Sequence, residues 1–208
     1  MSYLNTLYKS SLFLLTNLYQ LTMAYSYWKM GMAERRAVFH LFYRSNPFDG
    51  GYTIAAGLDC VVDLVEQFRP KEEDIAYLAS LKGRDGERLF DDAFLEYLRT
   101  MDVDVDMDAV PEGTVVFPFE PLVRVEAPVM LAQLMETPVL NQINFQSLVA
   151  TKSARVCQAA QGDPVLEFGL RRAQGIDGGV AAARGAYIGG CPATSDVLGG
   201  RLLDVPAK

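Results

Sequence analysis

Near Glu136 the hydrophobic pattern of the chain changes character, and that change limits the possible folds more than any other feature. Before it, helical and strand-like stretches follow one another without fixed order. Leu18, Leu21, Tyr25 and Trp28 stand at i, i+3, i+7 and i+10, one apolar helix face. Thr16 or Asn17 caps that helix and Gly31 ends it. "AVFHLFYR" alternates as a strand, and "NPFDGG" reads as a turn. Three short helices are marked by Leu58, Val61, Val62, Val65 and Phe68, by Ile75, Leu78 and Leu81, and by Phe94, Leu95, Leu98 and Met101. "VDVDMDAV" alternates strictly, and "PEGTVVFPFEPLVRVEAPVMLAQL" carries β-rich segments broken by prolines. This half reads as α+β with antiparallel strands.

After Glu136 strand and helix alternate, as in a parallel β/α architecture. Thr137 fits an N-cap and Pro138 the first helical position, with the helix continuing to about Ala160. Leu140, Ile143, Leu148, Val149, Ala154 and Val156 put apolar groups on most of its faces, so it is expected to be largely buried. A strand over residues 165–170, a helix over about 177–187, a short strand near "ATSDVL" and the start of another helix follow. The sequence stops at "LLDVPAK", where a further strand is expected, and two or three parallel strands do not make a finished domain. The organisation is therefore an α+β domain over residues 1–128 and the first part of a β/α domain over residues 129–208.

Several function classes fall away. A net charge of −7 and the lack of a basic stripe with interleaved aromatics argue against a nucleic-acid surface. No apolar run reaches the roughly 18 residues that span a bilayer, and the first residues carry no small-residue cleavage site. Cys60, Cys157 and Cys191 are scattered, without a CxxC, and fit free thiols in a reducing, cytoplasmic compartment. Asp102, Asp104, Asp106 and Asp108 suggest an EF-hand loop, but Met107 stands where glycine is needed and Gly113 where glutamate is needed. The aspartates fit an edge strand facing water instead. His40, the single histidine, alternates with Val38, Phe42 and Arg44 and reads as a packing residue rather than a base.

The strongest candidate site is "LEFGLRRAQGIDGG" (residues 166–179), an apolar strand ending in two arginines and a glycine-rich turn. Ligands of parallel β/α units bind at the carboxyl ends of strands. Strand alternation would let only one of Arg171 and Arg172 face the site. An arginine fork suits a carboxylate or phosphate and the Phe168 ring a flat ligand, which together suggest an aromatic acid. A salt bridge to Glu167 or Asp177 is the structural alternative. "GIDGG" could add free N–H groups for an anion at the next helix start.

"LLTNLYQLTMAYSYWKMG", "LFYRSNPFDGGYTIAAGL", "NFQSLVATKSARV", "EFGLRRAQGIDGG" and "YIGGCPATSDVLGGRL", in that order along the chain, resemble the nicotinate phosphoribosyltransferase family. The resemblance implies a type II phosphoribosyltransferase fold: the N-terminal α+β domain followed here by an incomplete α/β barrel. It implies coupling of nicotinate to phosphoribosyl pyrophosphate, giving nicotinate mononucleotide and pyrophosphate in NAD biosynthesis. It also implies turnover driven by ATP, with Mg2+, through a phosphohistidine, and a homodimer with shared active sites. Tyr19 would stack on nicotinate from the neighbouring subunit and Phe168 on the other side. Arg171 would meet the carboxylate and ribosyl phosphate, supported by Arg172. Ser195 in "ATSD" stands where nicotinamide-using relatives place an aspartate, and its hydroxyl can donate to a carboxylate. If Asp196 rather than Ser195 faces the base, the preference turns to the amide. Family members carry a Gly-Thr-x-Ala-His segment with the phosphohistidine shortly after the stretch that matches Asp204-Val205-Pro206, and residues 1–208 do not contain it, so they alone are expected to be inactive. The alternative is a non-enzymatic short form that dimerises with a full-length relative.

Overall fold

In a computed structural model of the chain, residues 11–208 are described; residues 1–10, part of the stretch read above for a leader, lie outside them. Strand β5 (Val123–Pro128) is the centre of an antiparallel sheet, with β1 (Arg36–Leu41) on one side and β3 (Asp106–Ala109) on the other. Val123, Val125 and Ala127 point into the core, and Arg124 and Glu126 point outward. The register puts His40 and Asp108 on either side of Arg124, and Val38 and Asp106 on either side of Glu126. Arg124 binds Asp108 at 3.1 Å and Glu126 at 2.6 Å, while Arg36 reaches Asp104 at 2.9 Å and Asp106 at 2.7 Å. The aspartates do stand on an edge strand facing water, but only residues 106–109 form that strand. Such exposed pairs contribute about 0–1 kcal/mol each, and charge on an edge strand discourages pairing with another chain. His40 lies on this outward face and is exposed, so it is not the packing residue expected. Phe39 and Leu41 take the inward positions of β1.

Helix α1 (Leu18–Lys29) ends at Gly31, whose φ of +67° suits glycine. Its buried face centres on Gln20, Leu21 and Ala24, whereas Leu18, assigned to the apolar stripe, is exposed. Gln20 is the reason. Its amide nitrogen donates to Gln133 O at 3.3 Å and Glu136 Oε2 at 3.0 Å, and its carbonyl accepts from Thr16 Oγ1 at 2.6 Å and Asn17 N–H at 3.2 Å. A fully satisfied buried amide fixes where α1 sits on the rest of the protein. Helices α2 (Leu58–Glu66), α3 (Glu72–Ser80) and α4 (Asp92–Thr100) stand as the sequence pattern places them. With the sheet they enclose a core that includes Phe13, Leu64, Phe68, Leu78, Phe90, Phe94 and Leu98.

Helix α5 (Val129–Ala159) departs from expectation. It starts eight residues before Thr137, within the stretch read as β-rich, and Pro138 lies inside it. The chain passes directly from β5 into the helix, because Arg35 O accepts from Val129 N at 2.8 Å and Ala33 O from Met130 N at 3.4 Å. These carbonyls satisfy N–H groups that otherwise need a cap. The Thr137 hydroxyl bonds Gln20 Oε1 instead of capping. Leu140 and Val156 remain partly exposed, so burial is less complete than the sequence suggests.

α5 also replaces a strand partner for the short β2 (Thr53–Ile54), which pairs on its other side with β4 (Val115–Val116). Thr151 Oγ1 accepts from Ile54 N at 2.9 Å, and Ser147 Oγ accepts from Ala56 N at 3.0 Å. Gly57 follows at φ +104°, and a Cβ there would lie 2.6 Å from Gln142 O. Only glycine allows this crossing. Beyond α5 come a 3-10 turn (Leu170–Arg172), helix α6 (Ile176–Ile188) and helix α7 (Val197–Leu203). The strands expected over 165–170 and near "ATSDVL" are each a single bridge, Glu167 with Thr194 and Thr194 with Ala207, all parallel. Parallel pairing is as expected, but each segment has too few partners to extend into a ladder.

Candidate active site

Glu167 joins the parallel segments. Its N–H donates to Ala193 O at 3.0 Å, and its carbonyl accepts from Ser195 N at 2.9 Å. The side chain repeats the link: Oε2 accepts from Thr194 Oγ1 at 2.6 Å, and Oε1 accepts from Gly169 N. Both carboxylate oxygens are therefore occupied by the loop and the neighbouring segment. Neither binds Arg171 or Arg172, so the salt bridge to Glu167 does not form. Thr194, buried completely, continues the pattern by donating its N–H to Pro206 O at 3.0 Å.

This arrangement sets Phe168 directly after one parallel segment and Ser195 directly after the contact residue of the next. Phe168 is 53% exposed. Arg171 and Arg172 lie in the 3-10 turn rather than at a strand end, so alternation does not separate them and both are exposed. Arg172 folds back, donating from Nη2 to Phe168 O at 3.1 Å, which braces the turn. Arg171 has no hydrogen bond or ion pair among the described residues. Its guanidinium is available to an anion. At the start of α6 the N–H of Gly178 is taken by Asp177 Oδ1 at 2.9 Å. A carboxylate thus already occupies part of the helix start read as an anion cradle.

Ser195 and Asp196 stand in different surroundings. Asp196 is 3% exposed and caps α7, with Oδ1 accepting from Gly199 N at 3.0 Å. Ser195 is half-buried, beside the segment that carries Phe168. Tyr19 is 56% exposed on α1, and its ring stacks on no other aromatic ring among the described residues. It forms no hydrogen bond or ring contact with Phe168, Arg171 or Ser195 within the chain.

One group was missed by the sequence reading. Arg184 on α6 is only 12% exposed and pairs with Glu112, itself 17% exposed, at 2.7 Å. It also reaches Asp59 at 2.7 Å and Gln146 Oε1 at 2.9 Å. Glu112 in turn accepts from Gly57 N and Leu58 N, the start of α2. Burial alone would raise the Glu112 carboxyl, but the Arg184 guanidinium and these two N–H groups outweigh it and hold it below the usual range. Burial likewise opposes charge on Arg184, and its carboxylate partners raise it overall. The network fixes α6 against α2 and the loop bearing Glu112. The signal was an arginine within the small-residue run "AAARGAY".

Comparison with known proteins defines the class first. The structure superposes on a nicotinate-nucleotide pyrophosphorylase from Pyrococcus furiosus with a TM-score of 0.67 at 21% identity, over 92% of this chain and 40% of that one. This shows a shared fold. The crystal structure of human nicotinic acid phosphoribosyltransferase matches with a TM-score of 0.84 at 45% identity, over 94% of this chain and 38% of that one. Residues 14–144 match the family model of the nicotinate phosphoribosyltransferase (NAPRTase) N-terminal domain. The chain belongs to the nicotinate phosphoribosyltransferase family. It is 48% identical over 198 residues to nicotinate phosphoribosyltransferase 2 of Arabidopsis thaliana, covering 94% of this chain and 34% of that relative. It thus spans about a third of the length of the curated relatives it matches, and the part it spans is their N-terminal part.

Proposed function

We propose that this chain carries the base-binding part of an enzyme that joins nicotinate to phosphoribosyl pyrophosphate, yielding nicotinate mononucleotide and pyrophosphate. Residues 1–128 would form its N-terminal domain and residues 129–208 the beginning of an α/β barrel. The observation that carries this reading is the turn after Glu167, which leaves the Phe168 ring and, three residues on, the Arg171 side chain both exposed, Arg171 without a hydrogen bond or ion pair among the described residues. The ring face suits the pyridine, and the guanidinium suits a carboxylate or a ribosyl phosphate, to which charge-assisted hydrogen bonds are the strong kind. Arg172 supports the turn. Ser195 donates to the carboxylate, and the commitment of Asp196 to the α7 cap supports nicotinate over nicotinamide. Tyr19, exposed on α1, would close the opposite side of the ring in a homodimer with shared sites.

ATP coupling, Mg2+ and a cytoplasmic location belong to the same reading. Among the described residues no group of three His, Cys, Asp or Glu side chains is placed to hold a metal ion. Mg2+ commonly binds through substrate phosphates with one or two carboxylates, and no residue of this chain is assigned to it or to ATP. His40, the single histidine, lies on the outward face of the sheet. The 208 residues by themselves are therefore expected to give no turnover. Two assays test the proposal. The purified chain is incubated with nicotinate, phosphoribosyl pyrophosphate and Mg-ATP, and family-like turnover would contradict the inactivity of the isolated chain. A chimera in which residues 1–208 replace the matching part of the human relative should use nicotinate. If it prefers nicotinamide, the assignment of Ser195 fails.

A further inference from the structure

We propose that Cys157 and Cys191 form a reversible redox pair that staples the end of α5 to the segment carrying Thr194 and Ser195. The proposal does not depend on the identity of the bound base. Cys157 lies in the last turn of α5, and Cys191 follows α6 by three residues, yet 34 positions apart in sequence they place their sulfurs 3.9 Å apart. A disulfide requires about 2.05 Å. Rotation about the Cys side chains with a small local backbone shift covers the difference, and the residue before Cys191 is suited to give. Gly190 has φ +105° and packs its Cα within reach of Cys157, where an added Cβ would lie 3.7 Å from both Cβ and Sγ of Cys157. Cys60 serves as an internal contrast. It is buried at 1% exposure beside Gln146 Nε2, and is not part of this pair.

The two thiols differ in a way that orders the chemistry. Cys191 is 4% exposed, and burial, then the Cys157 sulfur, push its thiol up to about 11; Ser153 acts weakly the other way and Glu167 adds to the rise. Cys157 is half-buried and the more accessible. Thiolate is the attacking species. With glutathione disulfide as oxidant, the Cys157 thiolate attacks one glutathione sulfur, breaks its S–S bond and releases one glutathione thiolate. Cys191 then attacks the Cys157 sulfur of the mixed disulfide and expels the second glutathione, which takes the Cys191 proton. The pair loses two electrons, and one glutathione disulfide becomes two thiols. Excess glutathione reverses both steps.

The staple would be felt at the candidate site because Cys191 leads into Ala193 and Thr194, which hold Glu167 through backbone and side chain. The test uses the full 208-residue chain equilibrated in glutathione buffers of graded oxidised-to-reduced ratio, trapped by alkylation and mapped by peptide mass spectrometry. A peptide pair joined through Cys157 and Cys191, with Cys60 still alkylated, is expected, and it should be lost in Cys157→Ser, Cys191→Ser and Cys191→Ala alike. Hydrogen exchange of the 193–195 amides should slow at least severalfold on oxidation. A stable glutathione adduct on Cys157 with Cys191 still alkylated would overturn the pairing. A disulfide that forms without any change in 193–195 exchange would overturn its coupling to the site.

Discussion

Thr194 Oγ1 donates to Glu167 Oε2 at 2.6 Å, joining by side chains two segments that the backbone joins by single parallel bridges. The bond sets the spacing between Phe168 and Ser195, each one residue away. Thr194→Val keeps the shape and removes the hydroxyl, leaving a Glu167 oxygen without its donor and the buried Asp196 N–H without its acceptor. We expect a loss of about 1–2 kcal/mol in urea unfolding and faster exchange of the Ser195 amide. Unchanged stability and exchange would show that the backbone bridges suffice.

Arg184→Met removes one side of a largely buried ion pair while keeping the apolar stem. The uncompensated Glu112 should cost about 3 kcal/mol in denaturant unfolding. The pH dependence has a defined sign. The Glu112 carboxyl is held lower in the folded protein than its ordinary value of 4.5, so its stabilising contribution is complete above that value. The contribution is lost as pH falls through the lowered folded value. Acid titration of stability should therefore be shallower below about pH 4.5 in Arg184→Met than in the wild type.

Gly189→Ala tests the contact of α6 with α5. Gly189 is the C-cap of α6 with φ −74°, a backbone conformation that alanine adopts without strain. Here, however, a Cβ would lie 2.4 Å from Ala150 O and 2.7 Å from Ser153 Cβ. Crowding should win, with a net loss of about 1–3 kcal/mol in thermal or urea unfolding.

Asp196→Asn should move stability the other way. The Asp196 Oδ2 is buried without a hydrogen-bond partner, while Oδ1 caps Gly199 N. Asparagine keeps the cap and replaces a buried charge by a neutral amide, which is less costly to desolvate. A gain of about 0.5–1 kcal/mol in urea unfolding is expected.

The contrast between α4 and α5 shows where the sequence was a sufficient guide. Phe94, Leu95 and Leu98 mark α4 because one face of a surface helix meets a core, and local periodicity carries that information. The start of α5 depends on carbonyls of Ala33 and Arg35, about a hundred residues earlier, which no local cap at Thr137 could reveal. The short antiparallel sheet was legible for the same reason as α4, whereas the strand over 165–170 lacked long partners and remains a bridge. In the candidate site, Phe168 and Arg171 were singled out by residue type, but at the end of a strand rather than around a 3-10 turn. The Thr194 bond to Glu167 joins segments 27 residues apart and has no local signal, whereas the Gly169 bond to Glu167 and the Asp196 cap on Gly199 span only two and three residues. Arg184 was not legible because its partners Glu112 and Asp59 lie in the other half of the chain.

The central claim is that the Phe168–Arg171 turn recognises an aromatic carboxylate. Its most direct test is titration of the 208-residue chain with nicotinate and with nicotinamide, following the backbone amide shifts of residues 168–173 and 195. Nicotinate should move these resonances with a Kd of about 1 mM, nicotinamide should do so more weakly, and Arg171→Ala should abolish the difference. Equal or stronger shifts with nicotinamide, or a nicotinate response untouched by Arg171→Ala, would contradict the account.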